Sequence, residues 1–213
     1  RLALVEKAVP VTDETALIDS FALRVQLIGR QLQLVQQTLA RYEIQIAQAY
    51  AAHPDREIFA SLPGAGPVLG PRLLASLGSQ RERFDTAASL QHYSGVAPVT
   101  KRSGGSCYIH RRYLCPKFHR QSFHEYAKES ILWSRWAAAY YLQQRTKGSH
   151  HHTAVRALAF KWQRVIWRCW QDRKPYEEKI YEAALRKTNS PLVALFDRVE
   201  LGKSPFKNPA KKS

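Results

Sequence analysis

"IFASLPGAGPVLGPRLLASLG", residues 58–78, decides the fold class of this 213-residue chain. A short helix, a turn over Leu62-Pro63-Gly64-Ala65-Gly66 and a second helix fit it, the pattern of a helix–hairpin–helix. Gly64 and Gly66 permit a tight backbone, and N–H groups at the start of the following helix suit a phosphate oxygen. Such a contact carries no base information. A plain helical turn that serves only packing is the alternative reading of the same residues.

Upstream, helical periodicity dominates. Ile18, Val25, Leu32, Leu39 and Ile46 form one apolar set, and Phe21, Ile28, Val35, Tyr42 and Ala49 the other. Sustained heptads of this kind predict a coiled-coil helix. Thr12 reads as its N-cap, with Asp13 and Glu14 in the first turn, and His53-Pro54 ends it. Packing on the helix's own domain is the alternative to pairing between chains.

Downstream, Asp85 or Thr86 caps a short helix through Tyr93 that Gly95 closes. Helix is expected again from Pro116 to Gln144, and from a cap at Ser149 to Asp172. On this last helix Lys161, Arg164 and Arg168 share a stripe beside an apolar face of Leu158, Trp162, Val165 and Cys169, with Phe160 and Trp167 as a third strip. The cationic edge suits phosphate or acids elsewhere in the chain. "SHHH", residues 149–152, reads as a capped helix start. No alternating strand series stands out, so the expected fold class is all-α. The expected domains are a coiled-coil linker helix over 1–53, a helical domain over 54–185 and a basic tail over 186–213. The tail's end, "GKSPFKNPAKKS", reads as a flexible basic arm.

Charge narrows the function. Lys and Arg number 33 against 17 Asp and Glu, a net of +16. The first 60 residues hold 6 basic and 7 acidic side chains, so the excess lies beyond them. Between Asp85 and Glu125 there is no acid, while Lys101, Arg102, Arg111, Arg112, Lys117 and Arg120 all fall there. Charge this one-sided points to a polyanion, because each phosphate neutralised releases condensed counterions. No apolar run approaches the roughly 20 residues of a membrane span, and no signal peptide is visible. Three cysteines make no disulfide framework, and a reducing cytoplasm is the expected setting. The absence of Met suggests a piece of a longer protein.

The acid-free window contains "TKRSGGSCYIHRR", residues 100–112. Ser103 lies between Lys101-Arg102 and Gly104-Gly105, a loop or hairpin tip. A serine that attacks a phosphodiester needs exposure, cations and room, and these neighbours offer all three. The same residues also describe an ordinary turn, and spacing alone leaves both readings open. Cys107, His110, Cys115 and His119 have the C-x2-H-x4-C-x3-H spacing of a small zinc knuckle, but Pro116 and the Arg-rich flanks argue for a strand or loop entering a helix. No metal site is expected. The ten acids after residue 60 form no plausible two-metal centre.

Taken in order, "LPGAGPVLGPRLLASLG", "RFDTAASLQHYSGVAP", "KRSGGS", "CPKFHRQSFHEYAKESI" and "HHTAVRALAFKWQRVIWRCWQDRKPY" resemble the C-terminal transposase domain of an insertion-sequence family. It is the family of the Piv-type DNA invertases and the bridge-RNA-guided recombinases, and the resemblance covers roughly residues 58–185. It implies a bacterial, nucleoid-associated recombinase in which Ser103 is the nucleophile, with Gly95, Pro98 and Gly104 in their expected places. It implies a phosphoserine link to DNA, a structured guide RNA, and strand exchange in a dimer or tetramer held by the coiled coil. It also implies an N-terminal RuvC-like domain with Mg2+ on an acidic set. That domain is absent from these residues, so this chain alone is expected to bind nucleic acid without recombining it and to hold no cofactor. Where many members have Lys-x-Gly-Asn after the serine loop, this chain reads Cys-Pro-Lys-Phe, which leaves the role of Lys117 open. Expected nucleic-acid contacts are Lys101, Arg102, Gly104, Arg111, Arg112 and Lys117 around the serine, Gly64 and Gly66 at the helical turn, and Lys161, Arg164 and Arg168 on the later helix. The competing readings are a non-catalytic helix–hairpin–helix module and a coiled-coil scaffold for acidic proteins.

Overall fold

The computed structural model describes residue 9, residues 11–110 and residues 112–202. Arg111 and the end of the basic tail lie outside the described residues. The chain divides into two units, Arg1–Ala49 and Tyr50–Ser213.

The first unit is built on helix α1, Thr15–Ala51. Its 37 residues rise about 55 Å at 1.5 Å each. The helix begins three residues after the expected cap. The Thr12 hydroxyl instead accepts the Glu14 N–H at 3.2 Å, and the first turn closes from Ile18 N–H to the Glu14 carbonyl. All the large residues of both heptad sets, Ile18 through Ile46, are exposed, so the apolar seam is unburied in the single chain.

The second unit contains α2 (Arg56–Ala60), α3 (Gly66–Leu77), α4 (Ala87–Tyr93), β1 (Val99–Ser103), β2 (Ser106–His110), α5 (Lys117–Ser130), α6 (Arg135–Thr146), α7 (His151–Asp172) and α8 (Glu178–Lys187). Short 3-10 turns lie at Arg81–Arg83 and Val193–Arg198. The protein is therefore mostly helical, with one correction to the all-α expectation: residues 99–110 form an antiparallel β-hairpin.

Helix α7 packs against α4, α5 and α6, and its apolar face reaches the centre of the core. Trp136, Trp162, Trp170, Tyr126, Phe59 and Phe123 are fully buried. Each buried indole N–H needs a partner. Trp162 donates to Ser130 Oγ at 2.7 Å, Trp136 to the Tyr176 hydroxyl at 2.7 Å, and Trp170 to the Gly78 carbonyl at 2.9 Å. An ion pair reinforces the edge. Arg81 holds Asp55 with both terminal nitrogens, at 2.7 and 2.6 Å, and lies 4.7 Å over the Trp170 ring.

Two further helix boundaries differ from expectation. The helix predicted from Pro116 to Gln144 is broken between Ser130 and Arg135. The Ser134 side chain caps α6 through the Ala137 N–H, and Glu178 accepts from both the Ser134 hydroxyl (2.7 Å) and the Arg135 N–H (3.1 Å). Ser149 is not the cap of α7 either. His150 occupies that position without a side-chain bond, while the Ser149 carbonyl accepts from Arg145. By contrast, Thr86 caps α4 in a reciprocal box with Ser89, and Gly95 follows with φ +72°.

Candidate nucleic-acid interface

The hairpin is the most exposed element of the second unit: past Val99 every residue of both strands is exposed. Its root is fixed. Val96 and Ala97 are buried, and the Ala97 N–H donates to the Gln91 carbonyl at 3.1 Å. Gly95 enters the hairpin pressed against Cys115, which follows it. A Cβ at Gly95 would lie 2.2 Å from the Cys115 sulfur and 2.6 Å from its Cβ. The Arg112 guanidinium meets His92 Nδ1 at 3.1 Å, so Arg112 belongs to this root.

The tip is a two-residue turn, with φ +55° at Gly104 and Ser103 paired directly with Ser106. Cross-strand partners share a face and successive residues alternate. Val99 pairs with His110, Lys101 with Tyr108 and Arg102 with Cys107. One face therefore carries Ser103, Ser106, Lys101, Tyr108 and His110. Arg102 and Cys107 lie on the other. Lys101 is the cation beside the serine, and Arg102 is turned away from it. This alternation also separates Cys107 from His110. Cys115 lies at the root against Gly95, and the buried His119 ring stands edge-on to Tyr93, 5.0 Å between centroids. Among the described residues no group of three or more His, Cys, Asp or Glu is placed to hold a metal ion.

The glycine turn between α2 and α3 has a packing cause. A Cβ on Gly64 would meet Trp133 Cδ1 at 2.6 Å. Gly66 (φ +54°) faces open space, with nothing within 4 Å of a built Cβ. Lys128 and Arg72 line the groove beside this turn, but so do Glu125 and Glu129, which lowers its appeal to a phosphate.

Residues 56–142 match the Transposase IS116/IS110/IS902 family. The transposase match takes in the glycine turn, the whole hairpin and helices α2 to α5. Curated relatives extend beyond it. The IS117 mini-circle protein of Streptomyces coelicolor, named as a transposase, is 32% identical over 167 residues, covering 77% of this chain and 40% of that protein. The 42 kDa protein of insertion element IS900 from Mycobacterium paratuberculosis is 29% identical over 163 residues, covering 75% and 40% respectively. The 43.6 kDa protein of IS110 from Streptomyces coelicolor is 31% identical over 164 residues, covering 73% and 38%. The chain thus spans about 40% of the length of the curated relatives it matches.

Within the transposase-matched stretch, the structure brings Ser103 and Lys101 together at the hairpin and sets Lys117 at the exposed start of α5. The cations of α7 lie beyond residue 142. Lys161 is half-buried with its ammonium 4.5 Å over the Tyr140 ring, and burial pushes its pKa down. Arg168 pairs with Asp172 at 2.7 Å, so one of the three cations does meet an acid of its own chain. All three line a groove of about 900 Å³ with Tyr140, Phe160 and Trp167. The sequence reading missed a second cluster. Arg120 and His124 on α5 face His152 and Arg156 on α7 across a cavity of about 270 Å³. The histidine run at 150–152 is the sequence signal for it.

Proposed function

We propose that this chain is the C-terminal part of a DNA transposase that binds nucleic acid and joins DNA transiently to Ser103. The observation that carries the proposal is the serine's placement: exposed at a glycine-turned hairpin tip, on the same face as Lys101, within a transposase-family stretch. The Ser103 oxygen attacks the phosphorus of a DNA phosphodiester and gives up its proton to water. An Oγ–P bond forms, the P–O bond to the departing sugar breaks, and that sugar oxygen takes a proton. One phosphodiester replaces another, so the reverse step rejoins strands without ATP. Lys101 offsets charge that builds on the phosphoryl oxygens, and the Gly104-Gly105 turn leaves room for a backbone to approach.

The wider reading follows the family resemblance. The exposed apolar seam of α1 pairs with other copies, giving a dimer or tetramer as a coiled coil. A structured RNA directs target choice. A RuvC-like domain on the longer protein supplies the metal chemistry, and the protein works on the bacterial nucleoid. Arg102, on the opposite hairpin face, and Lys117, Arg164 and Arg168 hold backbone phosphates further from the serine. The glycine turn at Gly64 and Gly66 acts as a helix–hairpin–helix contact. Comparing Ser103→Ala with wild type in a full-length protein that recombines donor and target DNA tests the proposal. Loss of recombination with retained DNA binding is expected. Equal recombination by both proteins overturns the nucleophile assignment.

A further inference from the structure

We propose that Arg120, His124, His152 and Arg156 form a binding site for a backbone phosphodiester that Ser103 does not attack, at the root of the hairpin. This rests on the nucleic-acid reading above and adds a site to it. The geometry is a pair of matched spacings. Arg120 and His124 are one turn apart on α5, and His152 and Arg156 are one turn apart on α7, so each pair shares a helix face. The two faces meet across a cavity of about 270 Å³ whose remaining wall includes Gly95 and Val96, the residues that lead into β1. The His124 and His152 rings are 5.8 Å apart.

Among the described residues Glu125 is the one acid lining this cavity, and both of its oxygens are engaged. Arg72 donates to its Oε2, and Gln121 donates to its Oε1 at 2.7 Å. Two arginines and two histidines therefore line one cavity beside a single carboxylate that Arg72 already pairs. The start of the 22-residue helix α7 adds its positive dipole end. Burial lowers the His124 pKa first, a backbone hydrogen bond at His152 opposes this, and the neighbouring charges of His152, Arg156 and His151 add smaller downward pushes. A bound anion reverses the charge part of that shift. Arginines suit phosphate because the guanidinium offers paired donors. Residues Val99 to Ser103 alone span about 13 Å at 3.3 Å per residue. The phosphate held here is thus distinct from the one at the serine, and gripping it fixes the strand relative to the hairpin.

The test uses the whole chain, a short fluorescein-labelled DNA duplex and, separately, inorganic phosphate. Binding of the duplex is followed by anisotropy over a range of salt for wild type, Lys101→Ala, Arg120→Gln, Arg156→Gln and the double arginine variant. Ring-proton NMR follows the His124 titration and the His152 ring shifts. Removing both arginines together should reduce the slope of log K against log salt by about 0.9, the value for one phosphate contact, and each single variant should reduce it by less. Duplex should raise the His124 pKa in wild type, a readout that stands even if a variant folds poorly. If wild type and Lys101→Ala differ in duplex binding but the arginine variants keep the wild-type slope and the histidines do not move, this site is overturned while the nucleic-acid reading survives. If inorganic phosphate moves the histidines and duplex does not, the cavity is a free-phosphate site and the proposal fails. If wild type shows no salt-dependent duplex binding, the nucleic-acid reading itself falls.

Discussion

Replacing Gly95 with alanine tests how the hairpin is held. Gly95 sits at φ +72°, where an L-residue costs about 1–2 kcal/mol. The added methyl would lie 2.2 Å from the Cys115 sulfur and 2.6 Å from the Cys115 Cβ, so the root must open, and overpacking of this kind costs about 1–3 kcal/mol. The expected loss is therefore about 2–5 kcal/mol from the two effects together. They are separable. Cys115→Gly removes both atoms that the methyl strikes and leaves the φ strain. In the double variant Gly95→Ala/Cys115→Gly, the packing part should disappear. The cycle should then show a favourable coupling of about 1–3 kcal/mol. Urea unfolding gives the four stabilities, and hydrogen exchange at residues 99–110 reports whether the hairpin loosens with its root. Additive losses, with no coupling between residues 95 and 115, refute the reasoning.

The remaining predictions concern the core, the ion pair and the long helix. Trp162→Ala empties the centre of the core and deprives Ser130 of a donor, and should cost about 3–5 kcal/mol in urea unfolding. Asp55→Asn breaks the paired contact with Arg81 and should cost about 3–5 kcal/mol near neutral pH. The Arg81 hydrogen bonds hold the Asp55 carboxyl below its usual pKa. Its contribution is therefore present above the unfolded value of about 3.9 and is lost as pH falls through the folded value. The gap between wild type and variant should narrow in that acid window when stability is followed against pH. Placing Asp at both Leu32 and Val35, exposed heptad positions, should abolish self-association in analytical ultracentrifugation. The melting of the second unit should not change.

What the amino-acid sequence disclosed depended on the range of the cause. The α1 heptads were legible because periodicity is local, and so was the Thr86 cap, whose partner Ser89 is three residues away. The break before α6 was not, because Ser134 and Arg135 are held there by Glu178, 43–44 residues on. The hairpin's strands were not legible, because five-residue strands exposed on both faces carry no apolar alternation. Its glycine turn was visible without the strands that it joins. At the site, Ser103 and Lys101 could be picked out from composition. That Arg102 turns away needed the pairing register. The Arg120–His124 and His152–Arg156 cluster needed two helices, far apart in the chain, to pack.

Ser106 stands directly across the hairpin from Ser103, on the same face, and is the natural competitor for the nucleophile's role. The most direct measurement is to trap a full-length reaction with denaturant, digest the covalent protein–DNA product, and map the modified peptide by mass spectrometry. The account predicts a nucleotide phosphate on Ser103, absent in Ser103→Ala and retained in Ser106→Ala. A nucleotide on Ser106, or an adduct that persists in Ser103→Ala, contradicts it.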